Sequence, residues 1–350
     1  MNSLTSAFGL AKQTAKGTPE SSAGNFTWFL ATEQTAGAQP RIRQLPVEMG
    51  GGMLPRGLVK TGVSGMAALR GVPRPESIGH ILLGLCGDVT TTAEDPDTTP
   101  ASGDEYYSHT FKIGSDPAVV PYYTMWRGVG TSFGEQVADV RVASLTMDMA
   151  AINFVSGEFA MAGIEPTLVT DITAWNPAPD TSPPFVACTG SVKIETGDTT
   201  TTLPVRAATL TVANGQAIDQ NFIIGSYYPR DIDIIQRVVT LEFVVLVTGS
   251  TVYGKLMYDP AGGAAWVPDV FNTAAVQHIT FKSAENIAGM TLTPIPYELS
   301  LTAAEADWTA TPIGMRGADN VLVRVSGMIV EPGGGSDPIS LVLKNSTASY

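Results

Sequence analysis

With 350 residues, 44% of them apolar, the chain can bury a core in each of two ordinary domains, which excludes intrinsic disorder. The formal charge of −13, with acids in excess in both halves, excludes a protein that grips nucleic acid through clustered Lys and Arg. Only 15% of residues are charged while Gly and Pro number 36 and 24, a composition of many turns between strands that points to an all-β fold.

Residues 1–38 are rich in Gly, Ala, Ser and Thr without a sustained period. They read as an N-terminal arm ordered by a neighbouring subunit, since an extended segment can add to an exposed sheet edge. Neither a secretion signal nor a run of about 18 apolar residues is present, so the chain is expected to stay in the cytosol where it is made unless a particle carries it out. Arg41 to Glu48 reads as a strand broken by Gly50-Gly51-Gly52, and Leu58 to Leu69 as a half-buried strand. Pro75 opens a helix with Ile78, Ile81, Leu82 and Leu85 on one face and Gly87 at its end. Asp88 to Glu105 holds six acids and no base and is expected to be a solvated loop. Four strands follow at Tyr107 to Lys112, Tyr122 to Arg127, Val140 to Met149 and Asn153 to Ala162.

Asp171 to Phe185 carries four prolines and reads as a linker, dividing the chain into a first domain over 39–170 and a second over 186–350. After a hairpin with its turn at Thr196-Gly197-Asp198, Val205 to Val212 alternates as a strand and Asn214-Gly215 reads as the turn that ends it. Ile232 to Val247 is almost wholly β-branched or aromatic; it is too long for an ordinary strand, and Arg237 and Glu242 inside it exclude a membrane span. Val252, Tyr253, Leu256 and Met257 form a short helix pattern, followed by strands at Gln277 to Lys282, Met290 to Ser300, Val321 to Val330 and Ile339 to Leu343.

The two halves echo each other. Thr110-Phe111-Lys112 recurs as Thr280-Phe281-Lys282, and Val140-Arg141-Val142 as Val323-Arg324-Val325, each following a long strand and a helix pattern. This order points to tandem duplication; the alternative is two unrelated β domains or one large one, because Val- and Thr-rich strands resemble each other cheaply. Val140 to Met147 also resembles Val205 to Val212, which reads as two strands with the same inside-outside pattern.

No nucleophile elbow, phosphate loop, zinc motif or paired-cysteine motif is present, and no catalytic, cofactor or metal residue is assigned. His109 and His278 stand beside the two Thr-Phe-Lys strands and read as strand-edge histidines; Cys86 and Cys188 read as buried free thiols. Glu94, Asp95 and Asp97 lack the spacing of a calcium loop. Asp231 and Asp233 alternate as on one strand face. A carbohydrate-binding protein would need clustered aromatics, and Trp126, Trp175, Trp266 and Trp308 are scattered; a secreted or surface β-sandwich adhesin would need an export signal.

The order of Val205 to Asn214, the G-x-x-x-P-R stretch Gly225 to Arg230 and the long strand Val238 to Val247 resembles the tail tube proteins of long-tailed bacteriophages, as does Ala11 to Pro19 near the start. The resemblance implies a structural virion protein with a β-sandwich and flanking helix, made in the host cytoplasm. Its long strands would close into an inner β-barrel on oligomerisation, in stacked rings through which DNA leaves the capsid without specific binding. Family rings hold six tube domains, so a duplicated chain would form a trimeric pseudo-hexamer, with tape measure, tail terminator and baseplate proteins as further partners. Asp148, Glu158, Asp231, Asp233 and Glu242 are then the expected lumen-facing acids. Arg206, Arg230, Arg237 and Arg324 are candidates for pairing between subunits.

Overall fold

The structure is a computed structural model that describes residues 6–47, 54, 57–94, 105–113, 116–130, 132–196, 199–250, 253–254, 275–287, 293–304, 306–310, 321–330 and 337–350. In chain order its elements are β1 (Ala7–Lys12), β2 (Thr27–Phe29), β3 (Glu33–Gln44), β4 (Leu58–Gly71), α1 (Ile78–Cys86), β5 (Gly87–Glu94), β6 (Tyr106–Ile113), β7 (Tyr123–Val129), β8 (Phe133–Ala150), β9 (Ser156–Gly163) and β10 (Glu165–Val169). There follow β11 (Phe185–Thr196), β12 (Thr199–Thr202), β13 (Val205–Gln216), β14 (Ile234–Leu246), β15 (Ala275–Asn286), β16 (Pro296–Ala303), β17 (Ala306–Ala310), β18 (Leu322–Ile329) and β19 (Ile339–Asn345).

All pairings between these strands are antiparallel, in two sheets. The larger has twelve strands, and its main ladder runs β3-β4-β9-β8-β13-β14-β18-β17; the N-terminal half of the long β8 leaves this ladder to pair with β7 and β10, and β1 and β2 continue beyond β7. The smaller has seven strands in the order β12-β11-β15-β16-β19-β6-β5. Both sheets mix the two halves of the sequence: β8 pairs with β13, and β19 lies between β16 and β6.

Alternation explains the layering. Leu210 and Val212 on β13, Leu241, Phe243 and Val245 on β14 and Val323 and Val325 on β18 face inward, toward Phe111, Ile279, Phe281, Leu299, Leu301, Leu341 and Leu343 of the smaller sheet. These residues form one contiguous core. Helix α1 is wedged into it, so its apolar surface is buried all round, except at His80, and not along the single stripe expected. Gly84 allows that fit, because a Cβ there would lie 2.4 Å from a methyl of Val142. Gly87 ends the helix as the sequence requires, with φ of 89° and its N–H bonded to the carbonyl of Leu83.

Several expectations need correction. The N-terminal segment is tied to its own chain: β1 pairs with β7 and β2, and Phe8, Leu10 and Ala11 are buried. Residues 87–94 form edge strand β5 and not a loop, since backbone bonding to β6 needs no buried side chains on an exposed Thr-rich edge; 95–104 lie outside the described residues. Asn214-Gly215 does not turn the chain. Strand β13 runs on to Gln216, and Asn214 is buried, its Nδ2 donating to the carbonyls of Leu85 (3.2 Å) and Val142 (3.3 Å). The sequence offers a good turn residue, but the unpaired carbonyl at the end of α1 is a better partner for its amide.

Residues 171–185 are docked, with Trp175 stacked on Trp126 at 4.6 Å and the N–H of Asp180 bonded to the carbonyl of Trp28. The turns at Gly50-Gly51-Gly52 and Gly197-Asp198, most of the 252–257 helix pattern and residues 290–292 lie outside the described residues; Tyr253 and Gly254 are helical.

Candidate assembly surface

The solvent-facing side of the main ladder is built from the residues that alternate with its core positions. Directly opposed residues in neighbouring strands share a face. One row across the sheet reads Asp148, Thr209, Glu242, Ser326. The next reads Arg70, Glu158, Thr146, Thr211, Thr240. Three of the five acids singled out from the sequence, Asp148, Glu158 and Glu242, thus lie on one face of one sheet. Thr209 Oγ1 donates to Asp148 Oδ1 at 2.6 Å, and Arg324 Nη2 donates to Glu242 Oε2 at 2.7 Å. Arg70 stands across from Glu158 in the register. The face is therefore threonine-rich, with Glu242 ion-paired to a base and Glu158 opposite one in the register.

Asp231 and Asp233 are elsewhere. They precede β14 in the connection from β13 and do not share a strand face. Between them Ile232 is fully buried with Ala162 and Ile164, which holds the flanking carboxylates outward. Asp231 takes an ion pair from Lys16 (2.6 Å) and a hydrogen bond from the Tyr122 hydroxyl (2.7 Å), and Asp233 accepts from Asn221 Nδ2 (2.9 Å). Burial raises the Asp231 carboxyl, but the bonds from Lys16, Tyr122 and the N–H of Ile232 outweigh it and hold the group below its ordinary pKa.

The four arginines are dispersed. Arg206 is exposed at a register shift in β13, and Arg230 is exposed with its carbonyl taken by Lys16 Nζ at 2.8 Å. Arg237 is half-buried opposite Asn214, where burial pulls its guanidinium below the usual pKa. Arg324 pairs with Glu242 of its own chain.

The ladder has two ends. Among the described residues, β3 pairs only with β4 and β17 only with β18, so each leaves one backbone edge open. Strand β3 is twelve residues long, mostly exposed, and carries Pro40, which a sheet tolerates only at an edge or bulge. Open edges of this length template further pairing. The sequence reading missed both: it began the first strand at Arg41, eight residues late, and did not find β17. The alternation of Val63 to Leu69, partner of β3, is the signal that a strand must lie alongside.

Among the described residues no group of three or more His, Cys, Asp or Glu side chains gathers to hold a metal ion. His109 is not at a sheet edge: β6 lies between β5 and β19, and the buried ring bonds Thr91 Oγ1 (2.8 Å), Asn345 Oδ1 (3.0 Å) and the carbonyl of Thr347 (2.9 Å). His278 likewise sits in the interior strand β15, 3.1 Å from Thr302 Oγ1. Trp126 and Trp175, scattered in sequence, are stacked together with Phe26 and Trp28 nearby, but all four rings are buried and offer no cleft to a sugar. Cys86 is buried, its thiol pushed up to about 12 by desolvation, whereas Cys188 is exposed, so only one of the two thiols is buried.

Among the described residues no helix is long and apolar enough to cross a membrane. No curated protein matches the chain. A sequence model of the family described as phage tail tube protein matches residues 3–293, most of the chain and both sides of the β8–β13 seam. With its all-β architecture, the chain therefore belongs to the phage tail tube protein family, as a structural component of the virion tail.

Proposed function

We propose that three copies of this chain close side to side into a ring, through pairing of β17 of one copy with β3 of the next, and that stacked rings conduct DNA out of the capsid. The observation that carries this is the order of the main ladder. It contains two four-strand blocks, β3-β4-β9-β8 and β13-β14-β18-β17, each opening with a strand pair and each with helix after its second strand. The blocks join at the β8–β13 seam, where Ser144 to Ala150 face Ala213 to Ala207. The same seam made between chains uses both open edges, and eight strands from each of three copies form a barrel without an edge.

The block order supports the tandem duplication, with the second tube domain over 186–350 and the first over 39–170 lengthened at its start to take in all of β3 from Glu33. Thr110 to Lys112 and Thr280 to Lys282 fall in β6 and β15 of the same sheet. Val140 to Val142 and Val323 to Val325 fall in β8 and β18, which occupy different places in the two blocks, so that identity does not belong to the repeat.

In the closed ring the face bearing Asp148, Glu158 and Glu242 lines the lumen. A phosphate there meets carboxylates, hydroxyls, and bases facing acids, so passing DNA makes few contacts that must each be broken. Ring averages by electron microscopy, with the mass of the ring, test the reading. Three chains per ring are expected, and six overturn the duplication. Replacing Asp148, Glu158 and Glu242 together by Lys is expected to make assembled tubes retain duplex DNA at low salt; tubes that stay free of DNA place this face away from the lumen. Synthesis in the host cytoplasm and contacts with tape measure, terminator and baseplate proteins follow from the same reading.

A further inference from the structure

The strands of the main ladder end in two apolar features of opposite shape. At one end, the turn between β8 and β9 presents Ile152, 98% exposed, and Phe154, 59% exposed. Ile152 has φ of 72°, a left-handed backbone that a β-branched residue adopts at a cost in strain. An isoleucine both strained and in full contact with water gains nothing for the folded monomer.

At the other end lies the connection from β13 to β14, with Ile223, Ile224 and Tyr227 exposed at 53%, 106% and 66%. This connection is held against the β3–β4 hairpin. The N–H of Val63 donates to the carbonyl of Tyr227 at 2.8 Å, Arg41 lies over the Phe222 ring at 5.7 Å, and Arg41 is ion-paired with Asp219. Between hairpin and connection runs a groove lined by Pro40, Lys60, Val63 and Tyr227. The exposed Leu58 and Val59 of the same hairpin extend the apolar area beside it.

The two features are at opposite ends of the same strands. Strand β13 starts beside the Ile152 turn, where the N–H of Ala151 bonds the carbonyl of Arg206 at 2.9 Å, and its last residue, Gln216, leads into the apolar connection. At about 3.3 Å per residue its twelve residues separate the ends by roughly 40 Å. We infer that Ile152 and Phe154 of one copy seat in the groove between the β3–β4 hairpin and Tyr227 of a copy in the next ring. The partner is a second copy because knob and groove are both on this chain, and one translation along the strands satisfies both. Such a head-to-tail contact does not close on itself and propagates as a filament. It also covers the exposed side chains of Ile152, Phe154 and Tyr227. The inference rests on the proposed ring and assigns its stacking surface.

The test uses the full chain. Wild-type protein is expected to form tubes, whereas Ile152→Asp and Tyr227→Asp, both at exposed positions, are expected to melt as wild type and stop at single rings in negative stain. In a Cys188→Ser background, Ile152→Cys combined with Tyr227→Cys is expected to give disulfide-linked oligomers on oxidation, while Ile152→Cys alone gives none. Tubes of wild-type length from either Asp variant, or linkage through Ile152→Cys alone, overturn the contact and leave the ring standing, the former assigning the patch to another partner. Asp variants that fail to fold leave the cysteine pair to decide, and its failure to link tubes overturns the contact. Wild-type protein that forms no ring overturns the proposed function and the contact with it.

Discussion

Asn214 is the place where helix and sheet are joined by polar chemistry, and its replacement by Ala measures that junction. The side chain is 3% exposed, and its Nδ2 reaches the carbonyls of Leu85 at the end of α1 and Val142 on β8. At 3.2 and 3.3 Å both bonds are at the long end of the normal range, so each is worth about 0.5–1 kcal/mol net. Truncation also leaves the Leu85 carbonyl short of a donor and a small void, whereas Val142 keeps the amide of Gln216 at 3.2 Å and a buried Oδ1 with no partner is removed, so the expected loss is about 1–2 kcal/mol. Thr240→Val, on the solvent-facing side of the neighbouring strand β14, is the control and is expected to change stability by no more than about 0.5 kcal/mol. Urea unfolding followed by tryptophan fluorescence, at concentrations too dilute for assembly, reads both as midpoint shifts at constant slope. A loss for Asn214→Ala no larger than that for the control refutes the reasoning, because the amide would then be bonded no better in the fold than in water.

Further outcomes concern the docked segment and acid stability. Trp175→Ala removes a buried ring stacked at 4.6 Å on Trp126 and is expected to cost about 3–4 kcal/mol in the same assay; a loss below 1 kcal/mol would mean that residues 171–185 behave as a free linker. Burial, with some help from the charge of Lys12, holds His80 down at about 4, and burial also lowers His109. In this pH range the unfolded chain binds more protons than the fold, so the stability contributed by the neutral rings is complete above the ordinary histidine pKa near 6.5 and is lost as pH falls toward 4. The part due to His80 is roughly 2 kcal/mol after allowing for partial exposure of its ring, and His80→Gln should flatten the profile of melting temperature between pH 7 and 4.5. An unchanged profile in that variant would place the acid sensitivity in other groups.

What the sequence determined by itself was where the apolar core strands lie, that one of their faces is buried, and where the helix stops. Val205 to Val212 and Ile232 to Val247 carry that information in the alternation and β-branching of their own residues, and Gly87 carries the helix end in its freedom to take positive φ. The acidic charge and the absence of catalytic motifs are equally local. A three-residue identity such as Val140 to Val142 with Val323 to Val325 reports a strand's composition and not its neighbours. Val140 to Met147 and Val205 to Val212, alike in sequence, lie in the neighbouring strands β8 and β13; they share an inside-outside pattern over Ser144 to Met147 and Thr209 to Val212 but not before it, where Arg141 is buried and Arg206 exposed. Only the tertiary structure decided that β8 and β13 form a seam, that Asn214 ends a helix across the core, that Asp231 belongs to Lys16 and Tyr122, and that among the described residues the ladder ends in two open edges. Hydrophobic period states that a face is buried but not against what. Partners distant in the chain are selected by the fit of whole sheets around one core, and that fit is what brings Asp148, Glu158 and Glu242 to a single face.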